Sequence, residues 1–181
     1  ELDNVNRDCA DPDLDAVDDA ARKVALFEET AIYHGFDEGC IMGMNSVSPH
    51  NAVKLSGSNP SNMTAAVEDA IVAVEKSGIG GPYSLVLGSD AYKMMMAGDE
   101  KGYPLHKRVG DLVSGGVYWS PAVSCGLLMS RRGGDFELTV GQDLSIGYHN
   151  ATTKRVDLFF TESFTFRVLE PAASVSLQWK K

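Results

Sequence analysis

Between Arg131 and Tyr148 the chain commits itself to strand. Phe136, Leu138 and Val140 alternate with Glu137 and Thr139, and residues two apart share one face of a strand. Gly133-Gly134, just upstream, can take the positive φ angles of a tight reversal. Beyond a break at Gly141 to Asp143, Leu144, Ile146 and Tyr148 alternate with Ser145 and Gly147. The pattern predicts two strand segments with one buried face. It is scaffold, with no nucleophile beside a base and no metal cluster.

Upstream, helices and strands interleave. Leu14, Val17, Ala21, Val24, Phe27 and Ala31 recur every three or four residues, which predicts a helix of about six turns from Asp11 to Gly35. Asp13 is its expected N-cap and Gly35 its C-terminal cap. Phe36 to Pro60 reads as turns and short extended pieces. A second helix, capped by Asn62 or Thr64, buries Ala66, Val67, Ala70, Ile71 and Val74 and ends at Ser77-Gly78. Then follow a strand at Tyr83 to Leu87, a helix from Ser89 through Met96 and a loop from Ala97 to Gly102. A helix from Leu105 to Val113 comes next, with strands at Val117 to Ser120 and Cys125 to Ser130. Arg155 to Val168 and Val175 to Leu177 supply the last strands. This order argues for an α+β fold and against a doubly wound parallel sheet.

Chemistry is sparse. Asp11, Asp13 and Asp15 occupy the first positions of a calcium loop, but Ala16 and Arg22 stand where Gly and Glu are required. Cys9, Cys40 and Cys125 form neither a disulfide framework nor a zinc site. His34, His50, His106 and His149 share no ligand spacing and read as surface or capping residues. Nucleophile-elbow, phosphate-loop and zincin motifs are missing. No catalytic residue, metal or cofactor is expected. A net charge of −9 with scattered Lys and Arg argues against nucleic acid as partner. No apolar run approaches the length of a membrane span. The first nineteen residues lack the pattern of a signal peptide, so a cytoplasmic location is expected.

The wording of the chain is more specific than its pattern. RGGDFELTVGQDLSIGY at Arg132 to Tyr148 and ESFTFRV at Glu162 to Val168 resemble the encapsulins, shell proteins once described as linocin-type bacteriocins. Further points of resemblance are Gly80-Gly81-Pro82-Tyr83, Gly102-Tyr103-Pro104-Leu105 and the run Ala20 to Leu26. The resemblance extends from about Leu2 to about Leu177 and covers the C-terminal two thirds of the family's usual subunit.

The resemblance implies the fold of tailed-phage major capsid proteins. A peripheral domain with a long spine helix takes residues 1–47 and 135–181, and an axial domain takes 48–134. It implies a structural subunit of an icosahedral nanocompartment, partnered by copies of itself and by a cargo enzyme held through a C-terminal targeting peptide. The cargo would be a ferritin-like iron oxidase or a dye-decolourising peroxidase. Asp143, Leu144 and Ile146 would contribute to the cargo site, and Asp99, Glu100, Lys101, Gly102 and Tyr103 to the lining of a pore. Alternatives are a prophage-type capsid protein of the same fold and, in another class, a hydrolase without a recognisable motif. The family's N-terminal arm and extended loop are absent from these residues, so the 181-residue chain alone is expected to remain a monomer or small oligomer.

Overall fold

The computed structural model describes residues 14–57, 59–152 and 155–180; at Pro60 only the backbone is described. The chain divides into two compact units, one of residues 1–28 and 140–164, the other of residues 29–139 and 165–181.

The second unit is built on a five-stranded sheet. Its strands are β1 (Val53–Leu55), β2 (Tyr83–Leu87), β5 (Val117–Trp119), β6 (Gly126–Ser130) and β9 (Ser174–Trp179), in the order β1-β9-β6-β2-β5. The inner pairings, β9 with β6 and β6 with β2, are antiparallel, and the outer ones, β1 with β9 and β2 with β5, are parallel. The α+β reading holds. The closing strand is longer than its apolar core suggested, and it enters the sheet between β1 and β6.

Helix α3 (Pro60–Lys76) packs on β1, β9 and β6 and on α5 (Leu105–Leu112); α4 (Ser89–Ala97) packs beside α5. Met63, Ala66, Val67, Ala70 and Val74 of α3 are buried, and they meet Leu55, Leu85, Leu87, Leu128, Val175 and Leu177 of the sheet in one apolar cluster. Burying a side chain of this size is worth ~1.5–3 kcal/mol, so this layer holds the unit together. Val86 and Leu127, register partners on β2 and β6, are also buried but lie outside that cluster. Their positions face the other side of the sheet.

Helix α3 starts earlier than expected. Asn59, not Asn62 or Thr64, is the N-cap: its side chain accepts the Ser61 N–H at 3.1 Å, with Pro60 in the first turn. Asn62 instead donates to the Ser56 carbonyl. The Met run divides: Met95 is buried and Met96 exposed.

Helix α1 (Asp15–His34) ends where the sequence placed its cap. Gly35 has φ +96° and donates its N–H to Ala31. Gly43 passes so close that an added methyl would collide with the backbone of His34 and Gly35. The expected start at Asp11 and the Asp13 cap lie outside the described residues. The turn region beyond α1 holds a 3-10 turn at Asp37–Gly39 and one short α-helical turn, α2 (Met44–Val47).

Strands β7 (Phe136–Ala151) and β8 (Val156–Val168) form a separate two-stranded sheet. Two expectations change here. Gly141 to Asp143 does not interrupt the strand; the segment is absorbed with local side-chain bonds, Asp143 Oδ1 accepting the Leu144 N–H and Gln142 Nε2 donating to Ser145 Oγ. The alternating apolar residues do not form a buried face: Leu138, Val140, Leu144, Ile146 and Tyr148 are all exposed.

Candidate functional site

Within the first unit a hollow of about 450 Å³ lies between α1 and the two long strands. Ala16, Val17, Ala20 and Val24 line it from α1, Ile146 from β7, and Val156 to Phe160 from β8. Small residues at three- and four-residue spacing keep the helix side shallow, while five consecutive residues of β8 make the hollow run along the strand. The side chains are apolar except for Asp157, whose carboxylate lies 3.2 Å from Arg155. That pair is exposed enough to contribute only ~0.2–1 kcal/mol. Nearby, Phe27 and Phe164 meet edge to face at 6.5 Å.

Of the residues expected at a cargo site, Ile146 lines this hollow and Leu144 and Asp143 do not. Asp143 is exposed and its carboxylate is occupied by the N–H of its own neighbour. The residues missed by sequence reading are those of α1 and β8. Val17 and Val24 stood in the predicted helical stripe, and Val156, Leu158 and Phe160 in the predicted strand alternation. What the sequence lacked was a signal that they converge.

The expected pore segment is a β-hairpin in the second unit, not a loop: β3 (Asp99–Glu100) pairs with β4 (Tyr103–Pro104). Asp99, Lys101, Gly102 and Tyr103 are exposed, while Glu100 is half-buried. The segment is too short to show strand alternation, which is why it read as a loop.

A second hollow, of about 250 Å³, is lined by Met129, Ser130, Arg131, Gly133, Gly134, Asp135 and Phe136. Its acid is already satisfied. Asp135 is buried and accepts from Arg132 Nε and Nη2 at 3.1 and 2.8 Å. Hydrogen bonding to Asp135 raises the Arg132 pKa further. Burial holds the Cys125 thiol up at about 11, so at neutral pH it stays protonated and is a poor nucleophile. His34 Nε2 donates to the Ala122 carbonyl at 2.8 Å and His50 Nε2 to Ala172 at 2.9 Å, tying loops together as capping histidines do. Among the described residues no group of three His, Cys, Asp or Glu is placed to hold a metal ion. No helix there is long and apolar enough to cross a membrane.

Comparison with known proteins bears on the family and the fold. The family described as "encapsulating protein for peroxidase" matches residues 1–165. A type 1 encapsulin shell protein of Rhodospirillum rubrum is 41% identical over 179 residues, covering 98% of this chain and 64% of the relative. The type 1 encapsulin shell protein of Mycobacterium tuberculosis is 34% identical over 177 residues, covering 98% and 66%. The chain thus spans just under two thirds of the length of these relatives. Among solved structures, a virus-like particle from Pyrococcus furiosus superposes with a TM-score of 0.61 at 20% identity, over 71% of this chain and 56% of that one. The capsid of an empty GTA particle gives 0.55 at 15% identity, over 92% and 65%. The fold is that of tailed-phage major capsid proteins.

Proposed function

The chain belongs to the family of encapsulating proteins for peroxidase, and from that premise we propose that it is a structural subunit of a closed encapsulin nanocompartment in the cytoplasm. The observation that carries this reading is the β7–β8 ribbon, a capsid-fold element whose apolar row is left in solvent by the single chain. Exposed rows of this kind mark surfaces that other chains or segments cover. The subunit's partners are copies of itself and an enclosed enzyme, an iron oxidase or a peroxidase, and the subunit performs no chemistry of its own. The acids in both hollows are paired with arginines, so neither hollow offers a free carboxylate beside a nucleophile. In the shell, residues 48–134 form the axial lobe and residues 1–47 with 135–181 the peripheral lobe.

The hollow between α1 and the ribbon is the seat of the cargo's tail. An extended tail docks by placing alternate apolar side chains against a strand, and Ile146, Val156, Leu158 and Phe160 supply such a surface. Asp157, rather than Asp143, is the acid within its reach. The β3–β4 hairpin forms the rim of an opening in the shell.

The test is co-purification. Isolated particles should contain a stoichiometric enzyme that Ile146→Asp removes while the particles stay closed. Particles that retain their cargo in this variant would exclude the hollow as its seat.

A further inference from the structure

The β3–β4 hairpin is fixed at three places. At its base the Leu105 N–H donates to the Gly98 carbonyl at 3.0 Å, and Leu105 itself is fully buried. At its tip Lys101 and Gly102 have φ of 54° and 82°, the pair of left-handed angles of a type I′ turn. There the Asp99 carboxylate accepts the Gly102 N–H at 3.1 Å. On its flank the Thr64 hydroxyl, from α3, donates to Glu100 Oε2 at 2.9 Å.

The flank contact separates two neighbouring acids. Successive side chains of a strand point to opposite faces, so with Glu100 turned to α3, Asp99 is turned away from it. Thr64 is only 4% exposed, so water competes poorly for its hydroxyl. A hydrogen bond to an ionised acceptor is about twice as strong as a neutral one. It joins positions 36 residues apart, and thereby ties a two-residue strand to the helix that carries the core.

We propose that Glu100 is a positioning residue, a strut that sets the hairpin on α3, and that the charges presented at the tip are those of Asp99 and Lys101. The proposal rests on reading the hairpin as the rim of a shell opening, and it divides the roles of Asp99, Glu100 and Lys101. A ring of carboxylates lining a constriction favours cations. On this assignment Asp99 supplies the attractive charge, Lys101 offsets it, and Glu100 supplies the stiffness that keeps both in place.

The experiment has two readouts on assembled particles: amide hydrogen exchange of residues 99–104 and the rate of divalent cation entry. Thr64→Val removes the donor at nearly constant volume, and Glu100→Met removes the acceptor. Each should raise exchange in the hairpin about tenfold. Thr64→Ser keeps a donor and Glu100→Gln an acceptor, and both should stay within about threefold of the parent. Asp99→Lys should slow cation entry several-fold, with Glu100→Gln close to the parent. Parent-like exchange in both Thr64→Val and Glu100→Met would overturn the strut. Raised exchange in those variants, with cation entry indifferent to Asp99→Lys, would retire the opening and leave the positioning role of Glu100 intact.

Discussion

Strand β2 and the β7–β8 ribbon are both apolar strand sequences, and they meet opposite fates. All five residues of Tyr83–Leu87 are buried, because β5 and β6 flank the strand and α3, α4 and α5 help form the core beneath its face. On β7, Leu138, Val140, Leu144, Ile146 and Tyr148 are between 41% and 64% exposed. The first region satisfies its apolar surface within the chain. The second holds a hydrophobic row that one chain leaves uncovered, as expected of an element that is completed by assembly. Apolar alternation therefore identifies a strand but not what covers it.

The comparison can be broken by substitution. Leu128→Ala, in the core beneath the sheet, should destabilise the protein by about 2–5 kcal/mol in denaturant unfolding, through lost burial and the cavity left behind. Leu144→Ala, on the exposed row, should fall within about 0.5 kcal/mol on the same measurement, yet weaken particle formation. Similar unfolding losses for the two would mean that the ribbon is core and not contact surface.

A second substitution sharpens the ribbon itself. Ile146→Asp should cut the cargo-to-shell ratio at least tenfold, whereas Asp143→Ala should change it less than twofold, because Asp143 Oδ1 is bound to the Leu144 N–H. A larger effect at Asp143 would shift the site away from the α1 side of β7.

The last test concerns the buried region's thiol. Desolvation raises the folded pKa of Cys125 to about 11, above the ordinary range near 8.5 of the unfolded chain. The neutral form is thus favoured by folding. Its stabilisation is fully present below about pH 8.5 and is lost as pH rises towards 11, by at most about 3 kcal/mol. Cys125→Ala should flatten this alkaline slope in stability curves. At pH 8 an alkylating reagent should label exposed Cys40 at least about a hundredfold faster than Cys125, read by peptide mass mapping.

Much of the fold was legible because local rules governed it. Gly35 ends α1 by taking a positive φ, and Ala66, Val67, Ala70 and Val74 face the core as their spacing predicts. Non-local choices were not legible. The insertion of β9 between β1 and β6, and the parallel pairing of β1 with β9 and of β5 with β2, depend on register that no local pattern encodes. The hollow was half legible: Ile146 was identified from one strand, while its partners on α1 and β8 were read as separate elements. Asn59 displaced Asn62 and Thr64 as helix cap because those two are engaged elsewhere, by Ser56 and Glu100.

The central claim is that the exposed ribbon belongs to a shell. Its most direct test is electron microscopy of the protein purified at its natural length, imaged with its molecular mass verified. Uniform closed particles of icosahedral symmetry, with the β7–β8 apolar row buried against neighbouring copies, are the predicted result. Discrete monomers or dimers at high concentration, with that row still in solvent, would contradict it.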